Sequence, residues 1–253
     1  SASLNKSQIE INDSPIKAIQ LSELIKKISD KVQHNPIDIR VEASYDIPEI
    51  EQIIFNVETD QRFEALYAVI ANFQPESTLI FCNTKQQCQQ LASELRERDL
   101  HALALHGDLE QFERDQVLTQ FASKGCSILI ATDVAARGLD VKDLAAVINF
   151  ELSYDPEIHV HRIGRTGRAG AKGLAISLFT SSEQRRLEAI EKYQDSALNV
   201  VDLATLVEPL NFKLYPPMVI IFVNGGRKDK LRAGDLLGAL TAGNEINATK
   251  IGK

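Results

Sequence analysis

The stretch Ser127–Asp140, SILIATDVAARGLD, changes character in its middle. The first half is continuously apolar and rich in Ile and Leu, without the polar–apolar alternation of a half-solvated strand. Such a run reads as a strand buried on both faces, the habit of parallel sheets covered by helices. The second half begins with Thr132 and Asp133, small polar residues placed where that strand ends. In open α/β sheets, ligands collect outside the carboxyl ends of the strands. The segment therefore points to an architecture and to the edge on which chemistry should gather.

The same pattern recurs on either side. IEQIIFNV (Ile50–Val57), TLIFCN (Thr78–Asn83), HALALHG (His101–Gly107), LAAVINFE (Leu144–Glu151) and GLAISLF (Gly173–Phe179) are further strand candidates. Between many of them lie RFEALYAVIANF (Arg62–Phe73), QQCQQLASELRERD (Gln86–Asp99) and FERDQVLTQFAS (Phe112–Ser123), with apolar residues three and four apart. That spacing predicts helices. Alternating strands and helices over Ile50–Gln194 predict βαβ units and an α/β, three-layer domain with a mostly parallel sheet.

The flanks differ. Leu21–Ala43 reads as a helix, an Asn35–Pro36 break and a short strand, and Ser44–Ile50 reads as a linker. After Pro216–Pro217, the stretch Tyr215–Gly226 opens a new strand, followed by a basic loop and a short helix. One strand and one helix cannot enclose a core, so the last ~35 residues read as a domain cut short. The expected division is 1–45, 46–208 and 209–253.

The chain has 253 residues, formal net charge −7, 44% apolar and 25% charged residues. This is the composition of a soluble globular protein. No apolar run reaches the ~20 residues that span a membrane, and the first residues lack a leader's apolar core, so a cytoplasmic protein without membrane partners is expected. Cys82, Cys88 and Cys126 form no CxxC pair and are odd in number, which predicts buried thiols rather than disulfides. An acidic chain can meet an anion only through a local patch.

Polar clusters follow three of the strands: Cys82–Lys85, His106–Asp108 and Ala131–Asp133. Taken singly, each could merely cap a helix, and Thr84 and Asp108 are expected to do so. The stretch HVHRIGRTGRAG (His159–Gly170) is less ordinary. Arg162, Arg165 and Arg168 are three apart, so on a helix they share one side and repel unless an anion neutralises them. The guanidinium fork suits phosphate, and Gly164 and Gly167 leave room for close approach. A solvated basic face is the bland alternative.

Together, FCNTK (Phe81–Lys85), HGD (His106–Asp108), ATDVAARGLD (Ala131–Asp140) and HRIGRTGR (His161–Arg168) resemble, in order, the motifs of the second RecA-like domain of DEAD-box RNA helicases. Val223–Thr241, VNGGRKDKLRAGDLLGALT, resembles the opening of the RRM-like RNA-binding domain of the DbpA/YxiN subgroup. The resemblance implies that Arg165 and Arg168 are arginine fingers for the γ-phosphate of ATP. It implies that Asp140 contacts the ribose, that Asp133 and Arg162 couple the nucleotide and RNA sites, and that Thr84, Gly107, Arg114, Thr132 and Gly138 surround the RNA backbone.

The sequence holds no GxxxxGK[ST] and no DEAD. The resemblance places ATP with Mg2+ mainly on the first RecA-like domain, of which Leu21–Val41 would be the last part. The expected protein is the C-terminal half of an ATP-dependent RNA helicase, inactive by itself. Its implied partners are that first domain and RNA, in particular large-subunit ribosomal RNA, with a role in ribosome biogenesis. A non-enzymatic RNA or protein docking module, or half of a DNA translocase, stays open as an alternative.

Overall fold

The computed structural model describes residues 50–137, 144–167, 172–207, 209, 212–243 and 246–252. The chain divides into two compact units, Ser1–Tyr45 and Asp46–Lys253, and all described residues belong to the second. The helix and strand expected in Leu21–Ala43 lie outside them.

Seven strands form one sheet: β1 (Ile50–Asn56), β2 (Thr78–Cys82), β3 (Ala102–Leu105), β4 (Ile128–Thr132), β5 (Ala146–Asn149), β6 (Gly173–Phe179) and β7 (Asn199–Val201). Their order is β3-β4-β2-β5-β6-β1-β7, and every pairing is parallel. Parallel neighbours need long crossovers. Here these carry α1 (Arg62–Phe73), α2 (Lys85–Glu97), α3 (Gln111–Ala122), α4 (Asp133–Ala136), α5 (Pro156–Ile163) and α6 (Gln184–Gln194). The six apolar runs became six strands. β7 is three residues, NVV, too short to register as a run.

Side-chain parity explains why the strands are apolar throughout. Phe55, Ile80, Ile130, Ile148 and Ile176 face one way and pack with Leu66, Val69 and Ile70 of α1 and Leu91 and Leu95 of α2. Their chain neighbours face the other way: Phe81, Leu129 and Val147 pack with Phe121 of α3 and Ala135 of α4. Further along that second face, Ile54 and Phe179 pack with Leu187 and Ile190 of α6. Between these two apolar groups the register sets Phe81, Asn149 and Ser177 in a row. Asn149 donates to the Ser177 hydroxyl at 3.0 Å. This polar row breaks the second face and receives α5.

Helix starts followed the sequence in part. Thr84 caps α2, its hydroxyl accepting from Gln87 N–H at 3.2 Å. Asp108 does not cap α3. Glu110 holds that position, its N–H donating to the Glu113 carboxylate at 2.9 Å, while Asp108 pairs with Lys85 at 2.7 Å.

Beyond β7, α7 (Ala233–Thr241) forms where a short helix was expected, with no buried residue. The strand expected after Pro216–Pro217 does not form, and no strand pairing occurs beyond β7 among the described residues. Met218 N–H donates to Lys124 O at 3.1 Å, but that turn offers no ladder to extend. Val219 and Phe222 stay 86% and 69% exposed.

Candidate nucleotide and RNA face

Because β3, β4 and β2 are neighbours, the residues that follow them meet on one sheet edge. Gly107, Thr132 and Thr84 lie there. Thr132 caps α4, accepting from Ala135 N–H at 3.4 Å. Arg114 of α3 donates to Ala135 O at 2.7 Å and ties α3 to α4. Each threonine hydroxyl accepts from its own helix and retains an O–H to donate. Small donors and open backbone on one edge suit sugar–phosphate, which needs register rather than base reading. Gly138 lies outside the described residues, as do Asp140 and Arg168.

Arg162 is the central side chain, 2% exposed on the polar row of the second face. Its Nε and Nη2 grip the two carboxylate oxygens of Asp133 at 2.6 and 2.7 Å. Nη1 donates to Asn149 Oδ1 at 3.2 Å and Glu151 O at 2.9 Å, and Nη2 also donates to Asn83 Oδ1 at 3.1 Å. These five bonds use all five guanidinium N–H donors. The group also lies over the Phe81 ring, 5.0 Å from its centroid. Arg162 therefore has no donor left for phosphate.

The arginine spacing does not make a helical stripe. α5 ends at Ile163 with Gly164 as its C-cap, so Arg165 sits in the following turn. Its carbonyl accepts from Leu144 N–H at 3.3 Å, and Thr166 bridges to Leu144. Gly167 serves backbone packing. Gly167 has φ +74, and a Cβ on Gly173 would lie 2.6 Å from Gly167 N. Two backbones cross here with room for no side chain.

A second buried cluster has no signal in the motifs. Arg62 pairs with Glu183 and donates to Phe150 O at 3.0 Å. Glu183 also accepts from Leu152 N–H at 3.2 Å and Arg186 at 3.2 Å. Arg62, Arg186 and Arg162 thus pin the three residues Phe150–Leu152 that lead from β5 to α5. Thr180-Ser-Ser-Glu183 forms a capping box, a local pattern the motif reading passed over, and Thr180 N–H donates to Glu183 at 3.0 Å.

The thiols are buried, as expected. A hydrogen bond with Cys88 and burial raise the Cys82 pKa, and burial pushes Cys126 up to about 11. Neither favours thiolate chemistry. His159 is 0% exposed and neither ring nitrogen finds a partner among the described residues. Burial, helped by the Arg162 charge, lowers its pKa to about 4. The unfolded chain binds this proton from about pH 6.5 down, whereas the folded chain resists until about pH 4. Stability is therefore full above pH 6.5 and is lost as pH falls toward 4, by roughly 3 kcal/mol. Urea unfolding at pH 7.5 and 4.5 measures this, and His159→Phe should flatten the difference. An unchanged slope in that variant would assign the acid sensitivity elsewhere.

Residues 61–170 match the helicase conserved C-terminal domain, and residues 220–253 match the DbpA RNA binding domain. The ATP-dependent RNA helicase DbpA of Escherichia coli (strain K12) is 43% identical over 234 residues, 91% of this chain and 50% of that protein. DbpA of Bacillus subtilis (strain 168) is 33% identical, over 92% of this chain and 53% of that protein. The chain thus spans about half the length of these relatives. The solved C-terminal domain of the DEAD-box protein Dbp5 superposes with TM-score 0.58 at 32% identity, covering 62% of this chain and 93% of that domain. The seven-stranded sheet is therefore a RecA-like helicase C-terminal domain, and the chain belongs to the DEAD-box family.

Proposed function

We propose that this chain is the C-terminal half of an ATP-dependent RNA helicase that acts on large-subunit ribosomal RNA during ribosome assembly. The observation that carries this reading is the bidentate Arg162–Asp133 pair. Asp133 follows Thr132 on the edge we assign to RNA. Arg162 lies one turn before Arg165, which we assign to nucleotide. A bidentate pair between them, with the Arg162 side chain buried and all its donors engaged, is a rigid link through which occupancy of one face can bias the other.

ATP supplies the phosphoanhydride and is held by the first RecA-like domain. Arg165 and Arg168 approach its γ-phosphoryl group and offset charge developing there, while Asp140 accepts from the ribose. Arg165 fits this task by its place just outside the closed network of Arg162. Mg2+ is held with the nucleotide on that partner domain. Thr84, Gly107, Arg114, Thr132 and Gly138 hold the RNA backbone. Residues 209–253 contribute to an RRM-like module that selects the RNA.

Gly107 provides the test. A Cβ there meets nothing within 4 Å, so the fold tolerates a side chain. Gly107→Glu puts bulk and negative charge where the RNA backbone is to lie. RNA affinity should fall about tenfold or more, roughly 1.4 kcal/mol, with an unchanged melting temperature. Equal RNA affinity in wild type and variant would remove this edge from the RNA path.

A further inference from the structure

The opposite end of the sheet carries a groove that the helicase motifs do not use. Its volume is about 820 Å³, and its floor includes His101, Ala102, Gly125 and Cys126, at the amino ends of β3 and β4. The motif residues stand at the carboxyl ends of the same strands. The charged side chains lining the groove are Arg96, Arg98 and Lys213 against Asp99, a local excess of two positive charges on a chain of net −7.

Its walls are aromatic and braced. Arg98 lies over the Tyr67 ring at 4.6 Å and the Phe63 ring at 5.1 Å, and pairs with Glu64. Phe212 meets Tyr67 edge-on, with centroids 6.0 Å apart. Phe212 and Leu214 pack against the main core, which turns the alternating Lys213 and Tyr215 outward along the groove. Tyr215 is 66% exposed. The segment then runs into Ile220, where the match to an RNA-binding domain begins, and the Ile220 side chain rests on Gly125 of the groove floor.

Cations set beside an exposed aromatic ring suit single-stranded nucleic acid, with phosphates on the charges and a base stacked on the ring. We infer that this groove is a second RNA subsite, which holds a single-stranded segment between the helicase edge and the RNA-binding module. Arg96 and Lys213 bind phosphates and Tyr215 stacks on a base. The choice of RNA as occupant rests on the helicase reading above.

The test uses this chain and a fluorescein-labelled uridine 12-mer, followed by anisotropy from 50 to 200 mM salt. Arg96→Gln with Lys213→Gln should weaken binding at least tenfold and reduce the salt slope by about 1.4, the effect of two single-strand phosphate contacts. Tyr215→Ala should weaken binding about 5- to 140-fold with the slope retained. Gly107→Glu reports on the helicase edge separately. Unchanged affinity and slope in the double variant, with Gly107→Glu weakened, overturn the groove and leave the edge reading standing. The reverse result supports the groove and removes the edge. No binding by wild type at 50 mM salt overturns both. Displacement of the 12-mer by poly-glutamate at equal charge would reassign the groove to acidic proteins and overturn the inference.

Discussion

Arg165→Ala, in a protein that joins this domain to its nucleotide-holding partner, is expected to slow RNA-stimulated ATP hydrolysis by about 10³- to 10⁵-fold, the usual worth of an arginine finger. The effect belongs in kcat. ATP binding depends mainly on the partner domain, so nucleotide affinity should change far less. The backbone of Arg165 is fixed independently of its side chain, through its N–H to Arg162 O at 3.2 Å and its carbonyl to Leu144 N–H at 3.3 Å. The melting temperature should accordingly stay close to wild type. The same outcome is expected for Arg168→Ala from its place in the motif. Single-turnover hydrolysis with calorimetric unfolding decides the matter. If melting temperature falls in step with rate, Arg165 is structural and the assignment is wrong.

Asp133→Asn should lower stability by about 3–5 kcal/mol, because it leaves a charged guanidinium buried without its anion. The two partners are not equivalent. The Arg162 side chain is 1% exposed and that of Asp133 25%, so a widowed Asp133 can hydrate and a widowed Arg162 cannot. Arg162→Met should therefore cost less from charge but more from hydrogen bonding, since Asn149 Oδ1, Asn83 Oδ1 and Glu151 O all lose a donor. Of these residues Asn149 is fully buried, and a buried orphan costs about 1–3 kcal/mol. The Asp133→Asn/Arg162→Met double variant should not recover wild-type stability, because those acceptors remain. Urea denaturation measures all three. A stability loss under about 1 kcal/mol for Asp133→Asn would show that the pair is not load-sharing in the folded state.

Strands were legible because burial on both faces leaves a local mark. Leu79, Ile80 and Phe81 are all apolar since alternate residues serve two different helix layers. Caps were half legible. Thr84 does cap its helix, whereas Asp108 gave way to Glu110 two residues on, and the Lys85 ion pair that engages it is 23 residues away. The site's motifs could be read, but not its wiring. The side-chain partners of Arg162 lie 13, 29 and 79 residues away, on three different strand ends. Arg62 and Glu183 are 121 residues apart. Only the fold brings such groups together. The regular arginine spacing misled in the other direction, because Gly164 ends the helix before the period can continue.

The place of β1 in the sheet has a consequence for synthesis. β1 is the first strand made among those described, yet its neighbours are β6 and β7, and Ile50 pairs with Gly173 and Ile53 with Asn199. A ribosome adding 5–20 residues per second needs roughly 6–25 s between Ile50 and its partner. During that interval Ile53, Ile54 and Phe55 have no ladder to join, while β2, β3 and β4 can already associate. The nascent domain thus carries an apolar segment that only its last strands can sheathe. Slowing translation before Gly173 should lengthen its dependence on chaperones, whereas slowing after Val201 should not.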